Sequence, residues 1–103
     1  MIRIEITYKD GKIIDLLVKG HSESAIKGKD LICAGVSSIV IGGANAIEKP
    51  ECFTFKTEDG FFEISELTKA CDHDYQTLKV MSIQLKTIEE TYPNNVKIIE
   101  KGN

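Results

Sequence analysis

The sequence has 103 residues, which is the length of one domain with a single hydrophobic core. Hydrophobic residues make up 42% and charged residues 28%, no apolar run is long enough to cross a bilayer, and the net charge of -3 argues against broad binding to nucleic-acid phosphates. Three widely spaced cysteines predict reduced thiols rather than a disulfide framework, and the N-terminus lacks the pattern of a secretion signal, so we expect a cytoplasmic protein.

The first segment predicts an antiparallel β-hairpin. Apolar and polar residues alternate through residues 2 to 8, which is the period of a half-buried strand, and Asp10-Gly11 fits a two-residue turn. The alternation resumes over residues 12 to 19, and the side chains expected to face the core are Ile14, Leu16 and Val18. This second strand leads directly to Gly20-His21.

A polar loop and a helix of small residues follow the hairpin. Residues 22 to 29 are mostly polar or small and predict a surface loop. From Leu31 apolar residues recur at helical spacing as far as Ile47, and Asp30 stands where an N-cap is expected. Each glycine inside this helix costs about 0.8 to 1 kcal/mol relative to alanine, so we expect close packing on the sheet or on another helix. Pro50 ends the helix.

The second half of the chain repeats the order of strand, strand and helix. Alternating residues 52 to 56 and 61 to 65 flank Asp59-Gly60 and predict a second hairpin. An apolar stripe from residue 72 to 92 predicts a longer helix, and residues 96 to 99 fit one edge strand before a polar tail. The order ββαββαβ predicts an α+β two-layer sandwich, with two helices on one face of a mostly antiparallel sheet, and one domain over residues 1–103.

Cys33 is a candidate nucleophile because it lies at the start of the predicted helix. With Asp30 as N-cap, Cys33 is the third helical residue, where backbone N–H groups lack partners and the partial positive charge favours a thiolate. The same N–H groups can stabilise an oxyanion. His21 is placed to accept and return a proton. The residues alone leave this pair open, because buried cysteines are usually inert and a lone histidine is usually structural.

Cys71-Asp72-His73, taken with Cys52, is a second cluster of chemically active residues. It lacks the Cys-x-x-Cys pair and the four-ligand spacing of a structural zinc site. We interpret residues 72 to 74 as helix-start residues that complement the helix dipole. No metal or other cofactor is expected.

Gly20-His21, a loop containing Gly28, and the run Asp30-Leu31-Ile32-Cys33-Ala34-Gly35-Val36-Ser37 together resemble the signature of the bacterial ribosomal-processing cysteine protease (Prp) family. The resemblance covers nearly the whole chain. It departs from the usual signature where Ser22 and Gly35 replace alanines. Both replacements are small, so we expect the pocket to be kept.

This resemblance implies a cysteine endopeptidase that removes the N-terminal extension of large-subunit ribosomal protein twenty-seven during ribosome maturation. It implies that His21 and Cys33 are catalytic, that Asp30, Ser37 and Gly20 support them, and that the protein is a homodimer. On physical grounds we expect the loop of residues 22 to 29 to be a movable flap that closes over the peptide. Two alternatives remain: a non-enzymatic ribosome-associated binding module, and a thiol-dependent acyl transferase or hydrolase acting on another substrate.

Overall fold

Five strands and two helices form in the predicted order, in a computed structural model that describes residues 1–20 and 30–102. The elements are β1 (Ile2–Lys9), β2 (Lys12–Lys19), α1 (Asp30–Asn45), a 3₁₀ turn (Pro50–Cys52), β3 (Phe53–Glu58), β4 (Phe61–Glu66), α2 (Asp72–Thr91) and β5 (Val96–Gly102). The strand order is β3-β4-β2-β1-β5, with β5 parallel to β1 and the other pairs antiparallel. The predicted α+β fold is confirmed.

The core lies between one face of the sheet and the two helices. Register places the buried Ile4 of β1 opposite Val18 of β2, and Val18 opposite Phe62 of β4, so these side chains share a face. The helices complete the same core with Ile32, Val36 and Val40 of α1 and with Leu78, Met81 and Leu85 of α2. None of the described helices has the length and apolar character needed to cross a membrane.

A β-bulge in the first hairpin corrects the predicted core face of β2. Thr7 pairs with Asp15, but Tyr8 pairs with Ile13, so Ile14 is the extra residue of the bulge. Ile13 is buried and Ile14 is only half-buried, whereas the alternation predicted Ile14 in the core. An extra residue shifts the two-residue period, so side chains before the bulge exchange faces. The Asp10-Gly11 turn forms as predicted, with positive φ angles of 53° and 77°.

Three predicted boundaries are also corrected. Helix α1 already includes Asp30, which the sequence placed at the N-cap before the helix. It ends at Asn45, although Ile47 beyond it is still buried. Strand β5 continues through the expected polar tail to Gly102, since β1 pairs with it from Ile2 to Tyr8.

The small residues of α1 allow close contact with α2. A Cβ atom at Gly43 would lie 2.3 Å from Sδ of Met81, so only glycine fits there without displacing the methionine. At Gly35 a Cβ would lie 3.4 Å from Cδ1 of Ile88, whereas nothing lies within 4 Å of a Cβ at Gly42. The expected close packing of this helix is therefore confirmed at Gly43, and the partner is α2.

Candidate active site

A cavity of about 270 Å³ opens at the end of the sheet where β1 and β4 begin and β2 and β3 end. Helix α1 lines the cavity from Cys33 to Ile41 and contributes Cys33 and Ser37. The turn between β3 and β4 also lines it. Gly20, at the end of β2, also lines the cavity. Three of the five predicted site residues therefore face one space.

Cys33 is the fourth residue of α1 and is half-buried. Ile32 and Val36 beside it are 4% and 3% exposed, so the core fixes this turn of the helix. Residues four apart lie on the same side of a helix, which places exposed Ser37 next to Cys33 on the cavity wall. The sequence predicted Cys33 as the third helical residue, counted from Leu31, and in the structure Asp30 is already helical.

Gly20 holds the chain in a conformation and a space that other residues do not fit. Its φ of +97° is in the region that favours glycine, and a Cβ there would lie 2.4 Å from the carbonyl oxygen of Met1. Its N–H donates a 2.9 Å hydrogen bond to the carbonyl oxygen of Gly60. The chain therefore leaves the sheet for residue 21 from a fixed point on the cavity wall.

Two predicted site residues are less fully described. His21 and the proposed flap of residues 22 to 29 lie outside the described residues. Asp30 is located as the first residue of α1. The structure therefore describes Asp30 within α1 and Gly20, the residue directly before His21.

The β3–β4 turn belongs to the cavity although the sequence did not link it to the site. Thr57, Glu58, Asp59 and Gly60 line the same cavity as Cys33. The connection comes from strand pairing, because Lys19 at the end of β2 pairs with Phe61 at the start of β4. The pairing of Lys19 with Phe61 could not be predicted from the local spacing of apolar residues or from a sequence motif.

Phe61 and Phe62 differ in exposure, as the alternation predicted. Phe62 is 5% exposed and belongs to the core. Phe61 is half-buried, and Nζ of Lys56 lies 5.8 Å from the centre of its ring. Both rings border the cavity, which gives it an apolar component beside the thiol.

The second cluster forms around Asp74 rather than around the cysteines. Ligand-capable atoms of Glu48, His73 and Asp74 lie within 4.8 Å of one another in the described part of the chain, and neither Cys52 nor Cys71 belongs to this group. Asp74 is fully buried, and its oxygens accept the N–H groups of Glu48 at 2.8 Å and Lys49 at 3.0 Å. The carboxylate therefore joins the segment after α1 to the start of α2.

Hydrogen bonds determine the protonation of Asp74. Burial by itself raises the pKa of this carboxyl group, but the N–H groups of Glu48 and Lys49 and the side chain of His73 together lower the pKa to about 2. The same contact with Asp74 raises the pKa of His73. These hydrogen bonds give the cluster of Glu48, His73 and Asp74 a structural role. This role agrees with the interpretation of residues 72 to 74 as helix-start residues.

A half-buried cysteine in the first turn of a helix, facing an open cavity, is typical of thiol-dependent hydrolases. The model of the family described as cysteine protease Prp matches residues 1–97. The chain therefore belongs to the Prp family of cysteine proteases.

Individual relatives agree with this assignment. The ribosomal processing cysteine protease Prp of Staphylococcus aureus strain Mu50 is 34% identical over 104 residues, covering 95% of this chain and 97% of the relative. The protein of that name from Bacillus subtilis is 30% identical and covers 86% and 87%. A crystal structure of Prp from S. aureus with a covalently linked product peptide has a TM-score of 0.85 and 31% identity, covering 98% of this chain and all of the other.

Proposed function

We propose that this chain is a ribosomal-processing endopeptidase, with Cys33 as the nucleophile and His21 as the general base and acid. The observation that carries the proposal is the position of Cys33 in the first turn of α1, on the wall of a cavity that also contains Gly20, the residue before His21. A relative 31% identical has been crystallised with a covalently linked product peptide, which supports covalent catalysis here.

The reaction is acyl transfer in two steps. His21 takes the proton of the Cys33 thiol, and the sulfur attacks the carbonyl carbon of the scissile peptide bond. Backbone N–H groups at the start of α1 stabilise the oxyanion. His21 gives its proton to the leaving amine, which leaves a thioester. His21 then takes a proton from water, the hydroxide releases the acid product, and the thiol is restored.

The supporting residues Gly20, Asp30 and Ser37 position the reacting groups and the bound peptide. Gly20 provides a fixed point before His21, because its conformation and its contact with Met1 admit no side chain. Asp30 begins the helix that carries the nucleophile, where an acidic residue complements the dipole. Ser37 lies one turn after Cys33 and offers a hydroxyl to the bound peptide or to a water molecule in the cavity.

The substrate we propose is the N-terminal extension of large-subunit ribosomal protein twenty-seven. The matching relatives are named for ribosomal processing, and the cavity accepts a short stretch of extended peptide with apolar side chains. Residues 1–103 then form one catalytic domain that acts in the cytoplasm, where ribosomes mature, and the family resemblance further predicts a homodimer.

The test is cleavage of the extended ribosomal protein by the wild type and by Cys33→Ala, followed by mass spectrometry. We expect the wild type to release one N-terminal fragment, whereas Cys33→Ala releases none but still binds the peptide. A thioester adduct on Cys33 in rapidly quenched samples gives direct evidence of the nucleophile. Equal cleavage by both proteins would rule out the proposed mechanism. Binding without cleavage by the wild type would favour the non-enzymatic binding module.

A further inference from the structure

The described charged groups that line the cavity are both acidic. They are Glu58 and Asp59, in or beside the β3–β4 turn, and they line the same cavity as Cys33. The remaining described lining residues are apolar, small or hydroxyl-bearing. The described residues therefore give the cavity an apolar interior and an acidic rim formed by Glu58 and Asp59.

These two carboxylates are available to a ligand. Within the described part of the chain, neither Glu58 nor Asp59 takes part in an ion pair, and both are exposed. The lysines on neighbouring strands make other contacts: Nζ of Lys19 lies 3.9 Å from Glu5, and Nζ of Lys56 lies over the ring of Phe61.

We infer that Glu58 and Asp59 are specificity-determining residues that select a basic side chain in the substrate, next to the apolar residues that enter the cavity. This inference rests on the proposed function, since it concerns the same cavity and a peptide substrate. Attraction between carboxylate and ammonium groups at a partly exposed rim is modest, so the residues contribute selectivity and not the chemistry itself.

The size of the cavity limits where the basic residue lies. An extended peptide advances about 3.3 Å per residue, and a cavity of about 270 Å³ therefore holds only a few residues around the scissile bond. A lysine or arginine side chain at the rim keeps its charged end in water while its alkyl stem contacts the apolar wall. We place the basic residue within three positions of the cleaved bond.

The experiment compares quenched fluorescent peptides in which one lysine is moved through three positions on either side of the scissile bond. Each peptide has a partner with glutamine at that position. The enzymes are the wild type, the double variant Glu58→Gln/Asp59→Asn, and Asp10→Asn. Asparagine is well accepted in turns, and Asp10→Asn makes the same kind of change in the hairpin turn at the opposite end of the sheet.

At one position or more, the wild type should prefer lysine over glutamine by about three- to tenfold in kcat/KM, mainly through KM. The ratio should fall to about one in the double variant, stay unchanged in Asp10→Asn, and decrease at high salt. The same lysine preference in wild type and double variant, or no preference at any position, overturns the inference.

Binding to Cys33→Ala separates this inference from the proposed function. Wild type that cleaves neither series contradicts the protease proposal. Even in that case, binding can support the acidic rim. It does so if Cys33→Ala binds the lysine peptides more tightly than the glutamine peptides and the preference disappears when Glu58→Gln/Asp59→Asn is added. If Cys33→Ala binds both peptide series equally, the inference about Glu58 and Asp59 is overturned. The protease proposal is then decided by the cleavage results alone.

Discussion

The N–H of Gly20 donates a 2.9 Å hydrogen bond to the carbonyl oxygen of Gly60, which joins the end of β2 to the β3–β4 turn. This bond connects two walls of the candidate active site, one leading to His21 and the other carrying the acidic rim. The position of these two walls relative to each other is therefore held in part by a backbone contact.

Gly20→Ala should impair both folding and cleavage. A Cβ would collide with the carbonyl oxygen of Met1 at 2.4 Å, and alanine disfavours a φ of +97°. We expect a loss of about 1 to 3 kcal/mol in the free energy of unfolding and a fall of about tenfold or more in kcat/KM, because His21 is displaced. Urea unfolding and peptide cleavage, both measured at a temperature where the variant is folded, check this. Full activity would show that Gly20 does not position His21.

Cys33 should react faster with iodoacetamide than Cys52 and Cys71 at neutral pH. Cys33 borders the open cavity, where the reagent can reach it, and the proposed base His21 would take the proton of its thiol. Peptide mapping by mass spectrometry gives the rate at each cysteine. In His21→Ala the rate at Cys33 should fall while the other two rates do not change. A rate at Cys33 that is unaffected by His21→Ala would count against a catalytic pair.

Gly43→Ala and Gly42→Ala form a matched pair in helix α1. Alanine at position 42 meets no atom within 4 Å and should stabilise the protein by about 0.5 to 1 kcal/mol through helix propensity. Alanine at position 43 meets Met81 and should destabilise it by about 1 to 2 kcal/mol. Chemical unfolding of both variants measures the difference. Stabilisation by both would mean that Met81 moves aside without cost.

Asp74→Asn should destabilise the protein by about 1 to 3 kcal/mol, since one acceptor oxygen is lost where two backbone N–H groups are held. The wild type should also lose stability as pH falls from about 4 to about 2, because the folded state holds the pKa of Asp74 below its unfolded value and protonation then favours unfolding. Urea unfolding of both proteins across this range checks the prediction. A variant with the same acid sensitivity as the wild type would contradict it.

Asp15 should have the opposite pH dependence. Burial, followed by the hydrogen bond and charge of Glu63, raises the pKa of Asp15 to about 7. The unfolded chain releases this proton near pH 4, so the free energy of unfolding should fall as pH rises from about 4 to 7. Asp15→Asn should remove this loss and stabilise the protein by about 1 kcal/mol at pH 8, a value reduced because the group is partly solvated.

Glu90→Gln, at an exposed position of α2, makes the same change in charge and is the control for Asp15→Asn. It should leave the slope of stability against pH unchanged between pH 4 and 8. If Asp15→Asn and Glu90→Gln give the same slope, Asp15 does not keep its proton in the folded state.

The helices, both hairpins and their order were predictable from the sequence because each depends on local signals. Asp10-Gly11 and Asp59-Gly60 mark the turns, and the spacing of apolar residues separates strands from helices. The thiol at a helix start was predictable for the same reason, and the family resemblance added the proposed catalytic roles of His21 and Cys33.

Only the tertiary structure decided the features that depend on pairing between distant segments. The bulge that exchanges Ile13 and Ile14, the use of Asp74 to hold the backbone of Glu48, and the placement of the β3–β4 turn in the same cavity as Cys33 all arise this way. The physical reason is that strand register and buried hydrogen bonds depend on which segments meet across the core, and the local pattern of a sequence does not carry that information.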